Sequence, residues 1–245
     1  MIYFPKIKDI LASGRGWLAI EKPAGMSVHN DPGKDVCSTA ADILANDPEL
    51  AANIATDPNF GIHPVHRLDR QTSGVILLAC TQEIFRYFSL QFEKGLAEKK
   101  YIAILHGELK ENKGIWEWPL SAEAGGRNLV QGKGKKLECR TLFQVVRHTA
   151  HYTCAECQPL SGRKHQIRRH AKLAGHPVTG DSRYGSLRAV RYLEDNCNFT
   201  RMGLHAMSLS ITLPGESKAR LIQSPGMPQE MEMLLQKDVQ STDAD

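Results

Sequence analysis

Apolar and polar positions along the 245 residues fall into distinct periods. Trp17-Leu18-Ala19-Ile20 is a short apolar run stopped by "EKPAG", whose proline and glycine supply turn chemistry, so it predicts a strand. Gly74–Thr81 is continuously apolar and predicts a strand covered on both faces. From Gln82 to Lys94 the period becomes helical, with Ile84, Phe85, Phe88 and Phe92 as its buried stripe and Gly95 as its stop. Lys100–Leu105 is a second buried strand, opening on a tyrosine. Ile115–Trp118, Leu137–Val146, Tyr152–Pro159, Leu204–Leu213 and Ala219–Gln223 are further strands, with a Gly/Lys-rich hairpin region at 125–136. Ser161 is placed to cap a helix over Lys164–Ala174 that ends at Gly175. Its Ile167, Ala171 and Ala174 face inwards, while Lys164, Arg168 and Lys172 stack on another face. A helix over Ser38–Ala45, a terminal helix over Met227–Gln236 and turns at three Asp-Pro pairs complete the pattern. Strands and helices mix without a βαβα rhythm or a fixed repeat. The expectation is an α+β fold: one domain over 17–237 with an extensive mixed, mainly antiparallel sheet flanked by helices and a cleft across the sheet. An extension at 1–16 precedes it and a frayed polar tail at 238–245 follows.

Composition narrows the class. No apolar run approaches the roughly 18 residues of a membrane span, and the first residues lack the order of a signal peptide, which predicts a cytoplasmic protein without membrane attachment. Six cysteines without dense, even spacing do not describe a secreted disulfide scaffold. Cys154-x-x-Cys157 followed by His165 and His170 offers zinc-ligand types. Residues three apart on a strand face opposite sides, however, and the gap before His165 is shorter than the finger spacing of about 12, so no metal site is expected. Gly132-Lys133-Gly134-Lys135-Lys136 lacks the spacing of a phosphate loop and reads as a basic hairpin. Charge is uneven: the formal total is +4, but Arg127–Arg191 alone carries 14 Lys and Arg against three acids, leaving the remainder of the chain at −7. A cationic block with five histidines suits a polyanion such as nucleic acid, and equally describes a solvated basic surface.

The densest chemistry lies in "PVHRLDRQTSGVILLA". If Val65–Asp69 is extended, Arg67 and Asp69 project together and Arg70 turns away. Nearby guanidinium groups favour a carboxylate, and an anchored carboxylate can act as a nucleophile; an ordinary ion pair on a surface turn has the same residues. Gly74 then permits a backbone conformation, or a close approach of a ligand, that a side chain forbids.

The run His66-Arg67-Leu68-Asp69-Arg70-x-Thr72-Ser73-Gly74 closely resembles the signature of RluA-type pseudouridine synthases, enzymes that isomerise uridine in RNA. Companion segments follow in that family's order: Lys22-Pro23-Ala24-Gly25 with His29, Lys100-Tyr101-x-Ala103, Gly162-Arg163-Lys164-His165-Gln166-Ile167-Arg168, Gly175-His176-Pro177-x-x-Gly180-Asp181, Tyr184-Gly185 and Leu204-His205-Ala206. The resemblance runs from about Trp17 to Pro225, and "GRKHQIRRH" and "GDSRYG" look closest to the TruC-like tRNA pseudouridine synthase branch.

The resemblance implies roles. Asp69 would be the catalytic aspartate, Tyr101 the tyrosine that stacks on the uracil, and Arg168 a basic residue paired with Asp69. Arg67 would reach into the RNA as the target nucleotide is displaced. His66, Arg70, Arg163, Lys164, His165, Arg169 and Lys172 would contact RNA, and Lys22, Pro23, Gly74, Gly162 and Asp181 would be structural members of the motifs. From the residues alone, Tyr101 is also a core tyrosine and Arg168 also a phosphate contact. The implied reaction cuts the bond between uracil N1 and ribose and rejoins the base through C5, with no cofactor or metal and with tRNA or rRNA as substrate. A monomer is the default. A non-catalytic RNA-binding or assembly factor using the basic 127–191 surface is the alternative.

Overall fold

The computed structural model describes residues 9–238. The expected tail after Asp238 and the first half of the expected N-terminal extension lie outside the described residues. In chain order the elements are β1 (Ile10–Gly14), β2 (Trp17–Lys22), α1 (Val36–Asn46), α2 (Pro48–Ile54), β3 (His63–Pro64), β4 (Ser73–Ala79), α3 (Gln82–Glu93), β5 (Glu98–His106) and β6 (Lys113–Trp116). They continue with β7 (Leu120–Ser121), β8 (Lys136–Leu137), β9 (Thr141–His148), β10 (Tyr152–Pro159), α4 (Gln166–Leu173), α5 (Leu187–Cys197), β11 (Leu204–Thr212), β12 (Ala219–Gln223) and α6 (Gln229–Lys237). The fold is α+β with mainly antiparallel pairing. Among the described residues the chain divides into two compact units, 9–99 with Ala206–Gly226, and Lys100–His205 with 227–238.

In the first unit the strand order is β1-β2-β4-β11, with β12 on β11 and β3 on β4. β1 lies inside the expected extension but pairs antiparallel with β2. Alternate residues Trp17 and Ala19, Val75 and Leu77, and Leu209 and Ile211 turn to one face, where Phe88 of α3 packs on them. Trp17 meets Phe88 edge to face at 6.2 Å. Phe85, expected in the same stripe, packs instead on Phe60 and His63. Gln91, polar and buried, is a splint: its amide donates to Thr212 O at 2.9 Å and accepts from Thr212 N at 3.0 Å. Asp35 caps α1 by accepting from Ser38 N at 2.8 Å, and Val36, Ala40 and Leu44 repeat on its buried face. Asp47-Pro48, expected as a turn, starts α2: Asp47 accepts from Leu50 N, and Pro48 occupies a first-turn position where no N–H is required.

In the second unit β5-β10-β9-β6 are antiparallel neighbours. The expected strand over Leu137–Val146 divides into β8 and β9, and β8 pairs with β7 to close the hairpin around residues 122–135. Ile104, Tyr152 and Cys154 face Leu193 of α5 and Met231, Leu234 and Leu235 of α6. α5 was not anticipated; Ser186 caps it by accepting from Ala189 N, and Asn198 ends it in the left-handed region. α4 starts at Gln166 rather than Lys164, after His165 at φ 56°, ψ 31°, and Ser161 does not cap it. Ser161 Oγ donates instead to Gln166 Oε1 at 2.7 Å. Among the described residues no helix is long and apolar enough to cross a membrane.

Candidate active site

The loop carrying Asp69 is fixed from both sides in sequence. His66 turns inwards: its Nε2 accepts the Leu77 amide of β4 at 3.1 Å, and its ring stacks on Phe92 at 5.0 Å. Burial, assisted by the charge of Lys99, pushes its pKa down to about 3, so the ring is neutral. His66 was expected on the RNA-facing side; here its ring is a bracket between the loop and β4. Arg67 is exposed, Leu68 is buried and Asp69 is half-buried. Thr72 N donates to Asp69 O at 3.0 Å, which closes the turn.

The next carbonyl, Arg70 O, accepts from Lys22 Nζ at 3.0 Å and from Gly25 N at 2.8 Å. Lys22 is fully buried and also donates to Pro23 O at 2.9 Å. The Lys22–Gly25 turn therefore clamps the backbone beside the carboxylate, a function that needs an ammonium on a long stem. The Arg70 guanidinium reaches Asp31 at 3.4 Å, but that pair is largely exposed and contributes little. Gly74 has φ +109°, and a Cβ there would collide with the Ala206 carbonyl. Where a ligand's approach was expected at Gly74, the group that lies against it is the β11 backbone.

Tyr101, 8% exposed, lies on β5 opposite Cys157. Arg168 is on α4 and is also only 8% exposed. Its Nε donates to Asp181 Oδ2 at 2.7 Å and its Nη2 to Asp181 Oδ1 at 2.9 Å, a two-pronged pair with both side chains buried. Asp181 also accepts the amides of Arg183 at 2.9 Å and Tyr184 at 3.1 Å. Burial by itself would raise its pKa; the Arg168 guanidinium and the two amides outweigh this and hold it below the usual carboxylate range. The Tyr184 ring lies 5.2 Å from the Arg168 guanidinium carbon and its hydroxyl shares a 2.9 Å hydrogen bond with His165 Nδ1.

Of the expected cationic face, Arg168 is buried, Lys172 is half-buried, and Lys164, which precedes the helix, is exposed; buried polar side chains lie elsewhere on α4. Arg169 is fully buried and donates to Val130 O, Ser121 O and Lys164 O, so it braces the 122–135 loop; its expected place on an RNA-contacting surface is corrected. An arginine without solvent contact offers no phosphate a site, whereas its fork suits several carbonyls at once. His170 bonds Thr141 Oγ1 and Trp118 O. Gln166 accepts from Ser161 and from Arg163 N and donates to Arg140 O and Thr141 Oγ1. Lys164 is exposed, and Arg163, His165 and Lys172 are half-buried. Gly162 is exposed in the turn before them.

Gln166 and Tyr184 stood in the quoted motif segments without a role and Arg183 was not singled out, although a signal existed for the hub that Arg183 and Tyr184 share. Asp181 is the single acid between Cys157 and Leu193, and a lone carboxylate among so many cations is a natural centre for them. Among the described residues no cluster of three or more His, Cys, Asp or Glu side chains could hold a metal ion. A cavity of about 590 Å³ beside α5 and α6, lined by Tyr152, Arg188 and Tyr192 among others, contains none of the candidate residues.

A family model described as RNA pseudouridylate synthase matches residues 16–173, which include the Asp69 loop, Tyr101 and α4. The chain belongs to this family, whose members are isomerases. It is 35% identical over 219 residues to tRNA pseudouridine synthase C of Haemophilus ducreyi, covering 84% of this chain and 86% of that one. It is 33% identical over 224 residues to ribosomal large subunit pseudouridine synthase C of Escherichia coli strain K12, covering 90% of this chain and 66% of the relative, so it spans just under two thirds of the ribosomal enzyme. Among solved structures, human RNA pseudouridylate synthase domain containing 4 superposes with a TM-score of 0.70 at 23% identity, covering 93% and 92% of the two chains, which establishes a shared fold.

Proposed function

We propose that this pseudouridine synthase isomerises a specific uridine in structured tRNA or rRNA, with Asp69 as the catalytic carboxylate acting on an extruded nucleotide. The observation that carries the reading is the seating of Asp69: a half-buried carboxylate on a turn whose neighbouring carbonyl is clamped by the buried Lys22. A clamped backbone holds a reacting group in place, and a misplacement of about 1 Å can cost 10²-fold in rate.

The reaction breaks the bond between ribose C1′ and uracil N1, turns the base and forms a bond from C1′ to C5; the proton on C5 is lost and N1 gains one. Asp69 supplies the carboxylate that every version of this exchange requires, as nucleophile or as base. Extruding a paired uridine costs a few kcal/mol. Tyr101 stacking on the base would return about 1–3 kcal/mol, and the exposed Arg67 would fill the vacated position. Lys133, Lys135, Lys136 and Lys164 are exposed and would meet phosphates, so binding weakens as salt rises. The names of the relatives support tRNA and rRNA alike, and identities of 35% and 33% do not separate them.

The test is pseudouridine formation on total tRNA and rRNA transcripts by wild type and Asp69→Asn. Wild type is expected to modify one RNA class at a defined position, and Asp69→Asn to be slower by about 10³-fold or more with RNA affinity retained. Undiminished turnover by Asp69→Asn refutes the assignment.

A further inference from the structure

Resting on that reading, and on the place the family resemblance implies for Arg168 as the basic residue of the site, we infer that Asp181 is the positioning residue of Arg168: it fixes the plane of the guanidinium, with the Tyr184 ring as a second wall. Three observations carry this. The pair is two-pronged, at 2.7 and 2.9 Å, and a planar fork engaged through both Nε and Nη2 has its orientation set by the carboxylate. Asp181 itself is held by hydrogen bonds on every side: its carboxylate accepts the amides of Arg183 and Tyr184, its carbonyl accepts Gly185 N at 2.8 Å, and its amide donates to Val178 O at 3.2 Å. The turn that holds it is sewn to the tyrosine's own strand. Thr179 N donates to Ile104 O at 2.8 Å and Val178 bridges Leu105, both on β5 with Tyr101. Gly180, at φ +74°, lets the Arg201 carbonyl close against the same turn.

Asp181 therefore ties the helix that carries Arg168 to the strand that carries Tyr101, within one compact unit. A structural ion pair would hold α4 and contribute only to stability. A positioning pair also sets the direction of the N–H groups that Asp181 does not take, and that direction matters to turnover.

The test is a cycle of Asp181→Asn, Arg168→Met and the double variant, read by kcat, KM, RNA Kd and thermal unfolding. Asp181→Asn is expected to lower kcat by about 10–10²-fold with Kd within about twofold. In the Arg168→Met background the same change should have no further effect on kcat, because Asp181 acts only through the arginine. Multiplied losses in the double variant, or a wild-type kcat in Asp181→Asn, overturn the inference. Should Asp181→Asn not fold, Arg168→Lys replaces it: the charge is kept and the fork is lost, so a fall in kcat is expected and a wild-type kcat overturns the inference. A second readout needs no turnover. The Arg168 Nε–H should give a ¹⁵N resonance protected from solvent exchange in wild type, and exchange as fast as that of surface arginines refutes the orientation. Wild type that makes no pseudouridine on tRNA or rRNA while the Nε–H stays protected would instead count against the proposed activity.

Discussion

The role of Lys22 depends on Arg70 O, which lies 48 positions away. Lys22→Met keeps the apolar stem and removes the donor. It is expected to lower kcat by on the order of 10²-fold with little change in KM, and a variant as active as wild type would show that the clamp does not position Asp69. His66 was expected among the RNA contacts, but burial holds its ring neutral. Its folded pKa lies below the unfolded value of about 6.5, so it contributes stability above that value, lost as pH falls towards about 3. Between these limits unfolding takes up a proton at His66, a slope of about 1.4 kcal/mol per pH unit. His66→Gln, which preserves an acceptor for the Leu77 amide, should flatten urea-midpoint profiles measured from pH 6.5 to 4; an unchanged slope would place the proton uptake elsewhere.

Among elements, strands were legible where the apolar run was continuous. β10 and β12 keep the limits the sequence implied, and β4 differs by one residue at its start and two at its end. Helices were less so. α5 has cap chemistry at Ser186 and Asn198, yet Leu193 is its single buried residue, and Leu187 and Tyr192 are exposed, so the apolar period is weak. α4 misled for the opposite reason: Gln166 to Ala171 are all buried, because partners elsewhere in the fold neutralise polar side chains that periodicity assigns to solvent. Asp35→Ala removes the cap of α1 and should cost about 1 kcal/mol in denaturant unfolding, whereas no loss would mean that water replaces the cap. Gly74→Ala combines a positive φ with a collision against Ala206 O and should cost at least about 3 kcal/mol; a stable, active variant would contradict the close approach of β11.

For the whole molecule, the net charge of Arg127–Arg191 suggested a polyanion surface; of its Lys and Arg side chains only Arg168 and Arg169 are buried, and others are engaged in contacts within the fold. Arg168 holds Asp181, Arg169 holds three carbonyls, Arg183 holds Ala124 O and Gly125 O, and Arg147 pairs with Glu232. Lys133, Lys135, Lys136, Arg140, Lys164, Arg183, Arg188 and Arg191 are exposed. If these meet phosphates, replacing Lys133 and Lys135 together by alanine should lower the salt dependence of RNA binding by about 0.7–0.9 log unit per lysine–phosphate pair removed; an unchanged slope would place the RNA elsewhere. Charge counting could not separate internal from external arginines, because the separation depends on carbonyls brought close by folding. The family signature, by contrast, was legible across almost the whole chain. Whether Asp69 carries the reaction is decided by position-resolved pseudouridine mapping of tRNA and rRNA from cells lacking the protein and complemented with wild type or Asp69→Ala. Loss of one site, restored by wild type alone, is the predicted result. Restoration by Asp69→Ala, or no change at any site in either RNA, would contradict it.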